Sequence, residues 1–304
     1  MSAGVQAAPL RAWIFPFTIA AVAWGSSFLF IELALQSFSP SHVAFGRVAV
    51  GALVLMGMVI AARHIPRFTW RDVAAVGLIA VCLSGAPFIL IPWAQQSITS
   101  ILASLLNATV PLWTALFVAL WIPTERATRT QVVGLLIGVL GIAVLLGAWN
   151  VENFPLLGAV LMLSATAFYG VGSTLSRMLL TRVKESHTSV SALQVSLSAL
   201  FLAPFALAAG SPGEGAFDIS GWALWGLVLL GALGTSFAYV MFWRVIAVAG
   251  ATAGASVTYV VPIVATILGI AILGEELLWY EPVGAVIVLL GVWLSGRRPS
   301  ATNT

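Results

Sequence analysis

Twelve of the thirteen Lys and Arg residues of this 304-residue chain fall in alternate gaps between ten apolar stretches. They are Arg11; Arg63, Arg67 and Arg71; Arg126 and Arg129; Arg177, Arg182 and Lys184; Arg244; and Arg297 and Arg298. The intervening gaps contain no cation. Short cytoplasmic loops accumulate Lys and Arg while short exported loops do not, so the pattern predicts a polytopic membrane protein with both termini cytoplasmic. The exception, Arg47, lies inside an apolar stretch.

The stretches run at about 13–36, 41–62, 71–95, 98–121, 130–149, 155–180, 189–209, 221–246, 251–273 and 279–295. A helix of about 20 residues crosses a ~30 Å hydrocarbon core, which gives an all-α integral membrane fold of ten transmembrane helices. Hydrophobic residues make up 61% of the chain and charged ones 8%, against roughly 25% charged in a soluble domain. No water-soluble fold hides that much apolar surface. Trp13, Trp70, Trp121, Trp149, Trp222, Trp279 and Tyr280 fall near proposed boundaries, where amphipathic rings prefer the headgroup level. The first stretch is too long for a cleaved signal sequence and is expected to remain as a helix. The longest loop, Gly210 to Ser220, is exported and acidic in this reading.

Residue usage removes several chemistries. Cys82 is the single cysteine, so neither an intramolecular disulfide nor a cysteine-rich metal site is expected. His42, His64 and His187 fall at span ends or in loops, and no Gly-rich phosphate loop ending in Lys and Ser or Thr is present. No Ser, His, Asp set sits at a common depth. The chain is therefore not expected to be an enzyme or to hold a cofactor. Its net charge of +3 is spread over juxtamembrane loops, which points to lipid headgroups as partners and not to nucleic acid.

An internal duplication has a period of about 150 residues. Pro111 precedes Glu125 by fourteen positions, and Pro262 precedes Glu276 by fourteen. Residues 103–125 read ASLLNATVPLWTALFVALWIPTE and 254–276 read GASVTYVVPIVATILGIAILGEE. Val133, Gly134 and Gly141 match Val283, Gly284 and Gly291 with a one-residue slip, and Trp24 and Gly25 parallel Tyr169 and Gly170. The division is thus 1–150 and 151–304. A unit of five spans has an odd number of crossings, so the second copy enters the membrane upside down. Inverted repeats are characteristic of secondary transporters with substrate sites near the midplane.

With AWGSSF in span one, FSPSHVAFGR in span two and the two Pro-to-Glu stretches, the chain resembles the drug/metabolite transporter superfamily, specifically its EamA-type branch. The resemblance covers nearly all of residues 13–295. It implies a ten-helix carrier with a central cavity shared by both repeats, moving small metabolites such as amino acids. Members often have a basic residue near the end of span one, where this chain has Glu32.

Physical reasoning nominates the substrate-binding residues. Proline at position i removes the hydrogen bond to the carbonyl at i − 4, so Pro111 frees that of Asn107 and Pro262 that of Thr258. Irregular backbone at membrane depth is tolerated where protein or a water-filled cavity satisfies it. Asn107 and Tyr259 add polar groups beside those carbonyls. Trp24, Ser27, Trp93, Tyr169 and Tyr239 complete the candidate lining, because a hydroxyl facing lipid without a partner is costly. Glu32 and Arg47 lie at similar depth in spans one and two and form a candidate intramembrane charge pair, either a structural clasp or a substrate or proton site. The expectation is a secondary transporter, an exporter of small neutral or zwitterionic metabolites, working by alternating access in a bacterial inner membrane. A proton-coupled multidrug exporter using Glu32 is the alternative within transport, and a channel or scaffold the alternative outside it.

Overall fold

The computed structural model describes residues 10–122, 128–150, 155–210 and 220–296. Glu125, Arg126, Arg297, Arg298 and all of the acidic loop between Gly210 and Ser220 lie outside the described residues. The described chain is helical: α1 (Leu10–Leu35), α2 (Pro40–Ala61), α3 (Trp70–Gln95), α4 (Ser100–Trp121), α5 (Arg129–Leu145), α6 (Leu156–Leu179), α7 (His187–Ala208), α8 (Gly221–Gly250), α9 (Ala253–Leu273) and α10 (Tyr280–Ser295). Eight of these are long and apolar enough to cross a membrane. The other two, α5 and α10, are shorter apolar helices of 17 and 16 residues, about 25 Å each at 1.5 Å per residue.

Helix starts are written in capping residues. Ser39, Thr69, Thr99, Thr128, Ser186 and Ser220 each accept a backbone N–H of the first turn that follows, which satisfies donors that no upstream carbonyl can reach. Thr69 with Asp72 and Thr128 with Gln131 form reciprocal capping boxes. The chain passes from α8 to α9 through Gly250, whose φ of 85° favours glycine.

The chain divides into two compact units, and each takes segments from both halves of the sequence. The first comprises residues 1–68 and 185–273, the second 69–184 and 274–304. In the first unit α1 packs along the second half of α8 and along α9, while α2 pairs with α7. The seat of α1 on α9 is Gly25. A Cβ there would lie 2.5 Å from the Cβ of Val264 and 2.9 Å from the Val261 carbonyl oxygen. Where the chain leaves and re-enters this unit, the Glu185 carboxylate lies 2.7 Å from His64 Nε2 and accepts the Arg67 N–H at 2.7 Å. These hydrogen bonds, that of His64 foremost, hold the Glu185 carboxyl below the usual carboxylate range.

In the second unit α6 packs on α3 and α4, and α5 pairs with α10. Gly170 of α6 meets Trp113 of α4 at a would-be Cβ distance of 2.6 Å. Trp113 and Val264 are 151 residues apart, as are Pro111 and Pro262, so the same helix contact is made once in each unit. The α5–α10 seam is built from glycines on both sides. A Cβ on Gly284 would stand 2.4 Å from Leu145 N, and one on Gly291 would stand 2.6 Å from Gly138 N.

Besides the π-turn Gly269–Leu273 that ends α9, two helices widen along their length into π-turns, Val81–Gly85 in α3 and Ala232–Phe237 in α8. The starts of these two are also 151 residues apart. π-turns inside helices cluster at functional positions. Of the seven expected belt residues, Trp70, Trp149, Trp222 and Trp279 are more than half exposed, whereas Trp121 is 42% exposed and Trp13 and Tyr280 are half-buried; Trp149 stacks on Trp279 with centroids 6.0 Å apart.

Candidate functional site

In the first unit, polar and aromatic side chains gather around the π-turn of α8. Trp24 of α1 meets Tyr239 edge-on with centroids 6.3 Å apart, and it packs against Phe242 at 4.9 Å. The Tyr239 hydroxyl accepts a hydrogen bond from Gln194 Nε2 of α7 at 3.3 Å. Ser27 donates to the Ala23 carbonyl at 3.0 Å, and its Oγ faces Gly234 of the π-turn so closely that a Cβ there would lie 2.4 Å away. Of the nominated residues, Trp24, Ser27 and Tyr239 are thus brought to one place. Gln194 joins them although the sequence reading passed it over. Its signal was present, an uncharged amide in the middle of an apolar span.

Arg47 is 6% exposed and donates to Thr235 Oγ1 at 2.9 Å and to the Gly234 carbonyl at 3.2 Å. Glu32 is half-buried on α1. Thr258, Tyr259 and Pro262 sit on α9, which runs on as a helix through Pro262. The Thr258 hydroxyl donates to the Ala255 carbonyl at 2.7 Å, and Tyr259 is 36% exposed.

The second unit contains Trp93, Asn107, Pro111 and Tyr169. Here the two prolines part company: α4 stops at Asn107 and restarts at Val110, with Pro111 in the first turn of the new segment. Proline is at home there, because a first-turn residue needs no donor. The break is tied down by Thr109, whose hydroxyl lies 2.7 Å from the Leu106 carbonyl and 3.2 Å from the Thr166 hydroxyl of α6. On either side of Pro111, Asn107 Oδ1 and Trp113 Nε1 are buried from solvent without a hydrogen-bond partner. One is an acceptor and the other a donor. Buried polar atoms of this kind are normally satisfied, so an unpaired set calls for an explanation. Trp93 on α3 is 45% exposed, and Tyr169 is half-buried beside Gly170.

The capping of α4 was not legible beforehand. Glu275, between α9 and α10, accepts from Ser100 N at 2.8 Å, Ser100 Oγ at 2.9 Å and Ile101 N at 3.0 Å. The sequence marked the acids near 275 only as repeat landmarks, since nothing local records a partner 175 residues away.

Comparison with known proteins agrees over the length of the chain. The model of the EamA-like transporter family matches twice, over residues 11–147 and 156–297. An uncharacterized transporter of Archaeoglobus fulgidus is 28% identical over 281 residues, covering 90% of this chain and 94% of its own. The uncharacterized inner membrane transporter YedA of Escherichia coli K12 is 28% identical over 288 residues, covering 91% and 90%. A probable terminal-alkyne amino-acid exporter of Streptantibioticus cattleyicolor is 26% identical over 286 residues, covering 94% and 93%. A solved crystal structure with 18% identity superposes with a TM-score of 0.62, covering 95% of this chain and 98% of that one, which shows a shared fold. With apolar helices throughout and a family model fitting both halves, this chain belongs to the EamA-like transporter family and is a multi-pass membrane transporter, not an enzyme.

Proposed function

We propose that this transporter exports small neutral or zwitterionic metabolites, amino acids among them, by alternating access in a bacterial inner membrane. In this reading α1 to α10 all span the bilayer, residues 1–150 and 151–304 are inverted five-helix repeats, and both termini are cytoplasmic. The 151-residue spacing shared by the prolines, the π-turns of α3 and α8, and the residues that face the two glycine seats, Trp113 and Val264, supports the repeats. The alternation of basic and cation-free loops supports the orientation. The name of the Streptantibioticus relative supports the substrate class. Trp24, Ser27, Trp93, Asn107, Pro111, Tyr169, Tyr239, Thr258, Tyr259 and Pro262 are the proposed substrate-binding set, and Glu32 and Arg47 the proposed charge pair.

The observation that carries the substrate class is the unpaired acceptor and donor on α4. The Asn107 amide oxygen suits an ammonium or amine donor, and the Trp113 indole N–H suits a carboxylate or carbonyl oxygen. An ion of one sign would leave one of them unpaired. In proteoliposomes with a panel of labelled neutral amino acids, Asn107→Ala and Trp113→Phe are each expected to raise the apparent KM by about five- to ten-fold, the loss of one hydrogen bond. The thermal midpoint should stay at the parental value, because neither atom has a protein partner to lose. Unchanged KM in both variants would sink this reading. Proton-driven efflux of lipophilic cations that is lost in Glu32→Gln would establish the multidrug alternative instead.

The orientation has its own check. In a Cys82→Ser background, Ser97→Cys is expected to react with an impermeant thiol reagent added to intact cells, and Lys184→Cys only after lysis. The opposite pattern would invert the topology.

A further inference from the structure

Arg47 has acceptors on α8 besides its proposed pairing with Glu32, and the place where they lie gives it a task. Both Thr235 Oγ1 and the Gly234 carbonyl belong to the π-turn Ala232–Phe237 of α8. A π-turn closes its ladder one residue later than an α-turn and leaves carbonyls poorly served. Here side chains serve them. The Thr235 hydroxyl reaches the Leu230 carbonyl at 3.1 Å. The Ser236 hydroxyl lies 3.2 Å from the Gly231 carbonyl and 2.8 Å from that of Gly51 on α2. Helix α2 therefore grips the widened turn at two points one helical turn apart, Arg47 and Gly51. On the other side Ser27 of α1 closes on Gly234.

The residue inserted by a π-turn rotates everything that follows it. One residue of an α-helix is about 100° of rotation, so relaxing Ala232–Phe237 to α-geometry would swing Tyr239 by about that angle. Tyr239 lies two residues beyond the turn. It would leave both Gln194 and the edge of Trp24. We propose that Arg47 is a positioning residue for transport: by holding the π-turn of α8 it sets the rotation that presents Tyr239 to Gln194 and Trp24. The proposal rests on Tyr239 belonging to the substrate site, as read above.

Two measurements test it and separate it from that reading. In a Cys82→Ser background, the pair Gln194→Cys and Tyr239→Cys is expected to cross-link with a short bifunctional thiol reagent. Adding Arg47→Lys, whose ammonium lacks the planar fork that spans both acceptors, should cut the yield at least about three-fold relative to its parent. Thr235→Val, which removes one acceptor and leaves the arginine in place, should do the same and stands in if the Arg47 variant fails to fold. Unchanged cross-linking in a folded variant overturns the positioning role whatever the transport result.

In uptake, Arg47→Lys should raise KM by about ten-fold, the loss of one hydrogen bond's worth of placement. In a Tyr239→Phe background the same change should add less than about two-fold, because the group it acts through is already gone. Equal factors in both backgrounds would show that Arg47 acts independently of Tyr239 and overturn the proposal. Reduced cross-linking in a protein that takes up no amino acid would leave the positioning in place and remove the substrate reading.

Discussion

Replacing Gly284 with leucine is expected to leave little folded protein. The seam between α5 and α10 brings backbone to backbone: a Cβ at Gly284 would stand 2.4 Å from Leu145 N and 2.5 Å from Leu145 Cα. Those atoms belong to a helix and cannot turn aside as a side chain can, so α10 must retreat along its length. Gly134, Gly141 and Gly291 are set against backbone in the same way, with would-be Cβ distances of 2.5, 2.6 and 2.6 Å. In membranes, small residues at helix interfaces permit the close approach that dispersion forces need, since lipid is as apolar as leucine and supplies no hydrophobic drive. Overpacking of a tight interior costs typically 1–3 kcal/mol, and at backbone contact we expect about 3 kcal/mol or more. Gly57→Leu is the control, because a Cβ at Gly57 meets nothing within 4 Å. Thermal unfolding and gel-filtration profiles in detergent decide the matter. A Gly284→Leu protein as stable as the Gly57→Leu protein would show that the seam is not close-packed.

The second large effect is expected at Glu275. Its carboxylate takes two backbone N–H groups of the first turn of α4 and the Ser100 hydroxyl. Helix N-termini leave such donors without an intrahelical partner, and a negative charge there also complements the helix dipole. Alanine would strand the donors at a site only partly open to water, at a cost of about 2 kcal/mol. Glutamine keeps one acceptor but no charge and should lose roughly half as much. The neighbouring Glu276 is exposed, and Glu276→Ala should leave the thermal midpoint unchanged. Equal midpoints for Glu275→Ala and Glu276→Ala would refute the capping role.

Glu275 and Arg47 also mark how far the chain could be read without its fold. Both are charged, and charge at membrane depth drew attention to Arg47 from its cost alone. Its acceptors were another matter: Thr235 is 188 residues away and lies in a π-turn that no hydropathy pattern announces. For Glu275 the repeat marked only its neighbour Glu276 and was silent on the task. The glycines fared similarly. Gly134, Gly141, Gly284 and Gly291 appeared as matching landmarks, while their face-to-face packing depends on which helices adjoin. The prolines looked equivalent at 111 and 262, yet α4 breaks and α9 continues. One difference between them is Thr109, whose hydroxyl bonds the Leu106 carbonyl and Thr166 at the break, while its counterpart 151 residues on is Val260, which has no hydroxyl.

By itself the sequence determined that the chain is built of apolar helices, where each begins and ends to within about four residues, and which family it belongs to. Hydropathy and capping act residue by residue against the local solvent, so their sum along a segment is recorded in that segment. Only the tertiary structure decided that α2 and α7 share a unit with α1, α8 and α9, that α5 pairs with α10, and that Arg47, Tyr239 and Gln194 meet around one widened turn. Those pairings are set by the mutual fit of small residues and by polar groups seeking partners across more than a hundred residues, and no single segment contains both halves of such a contact.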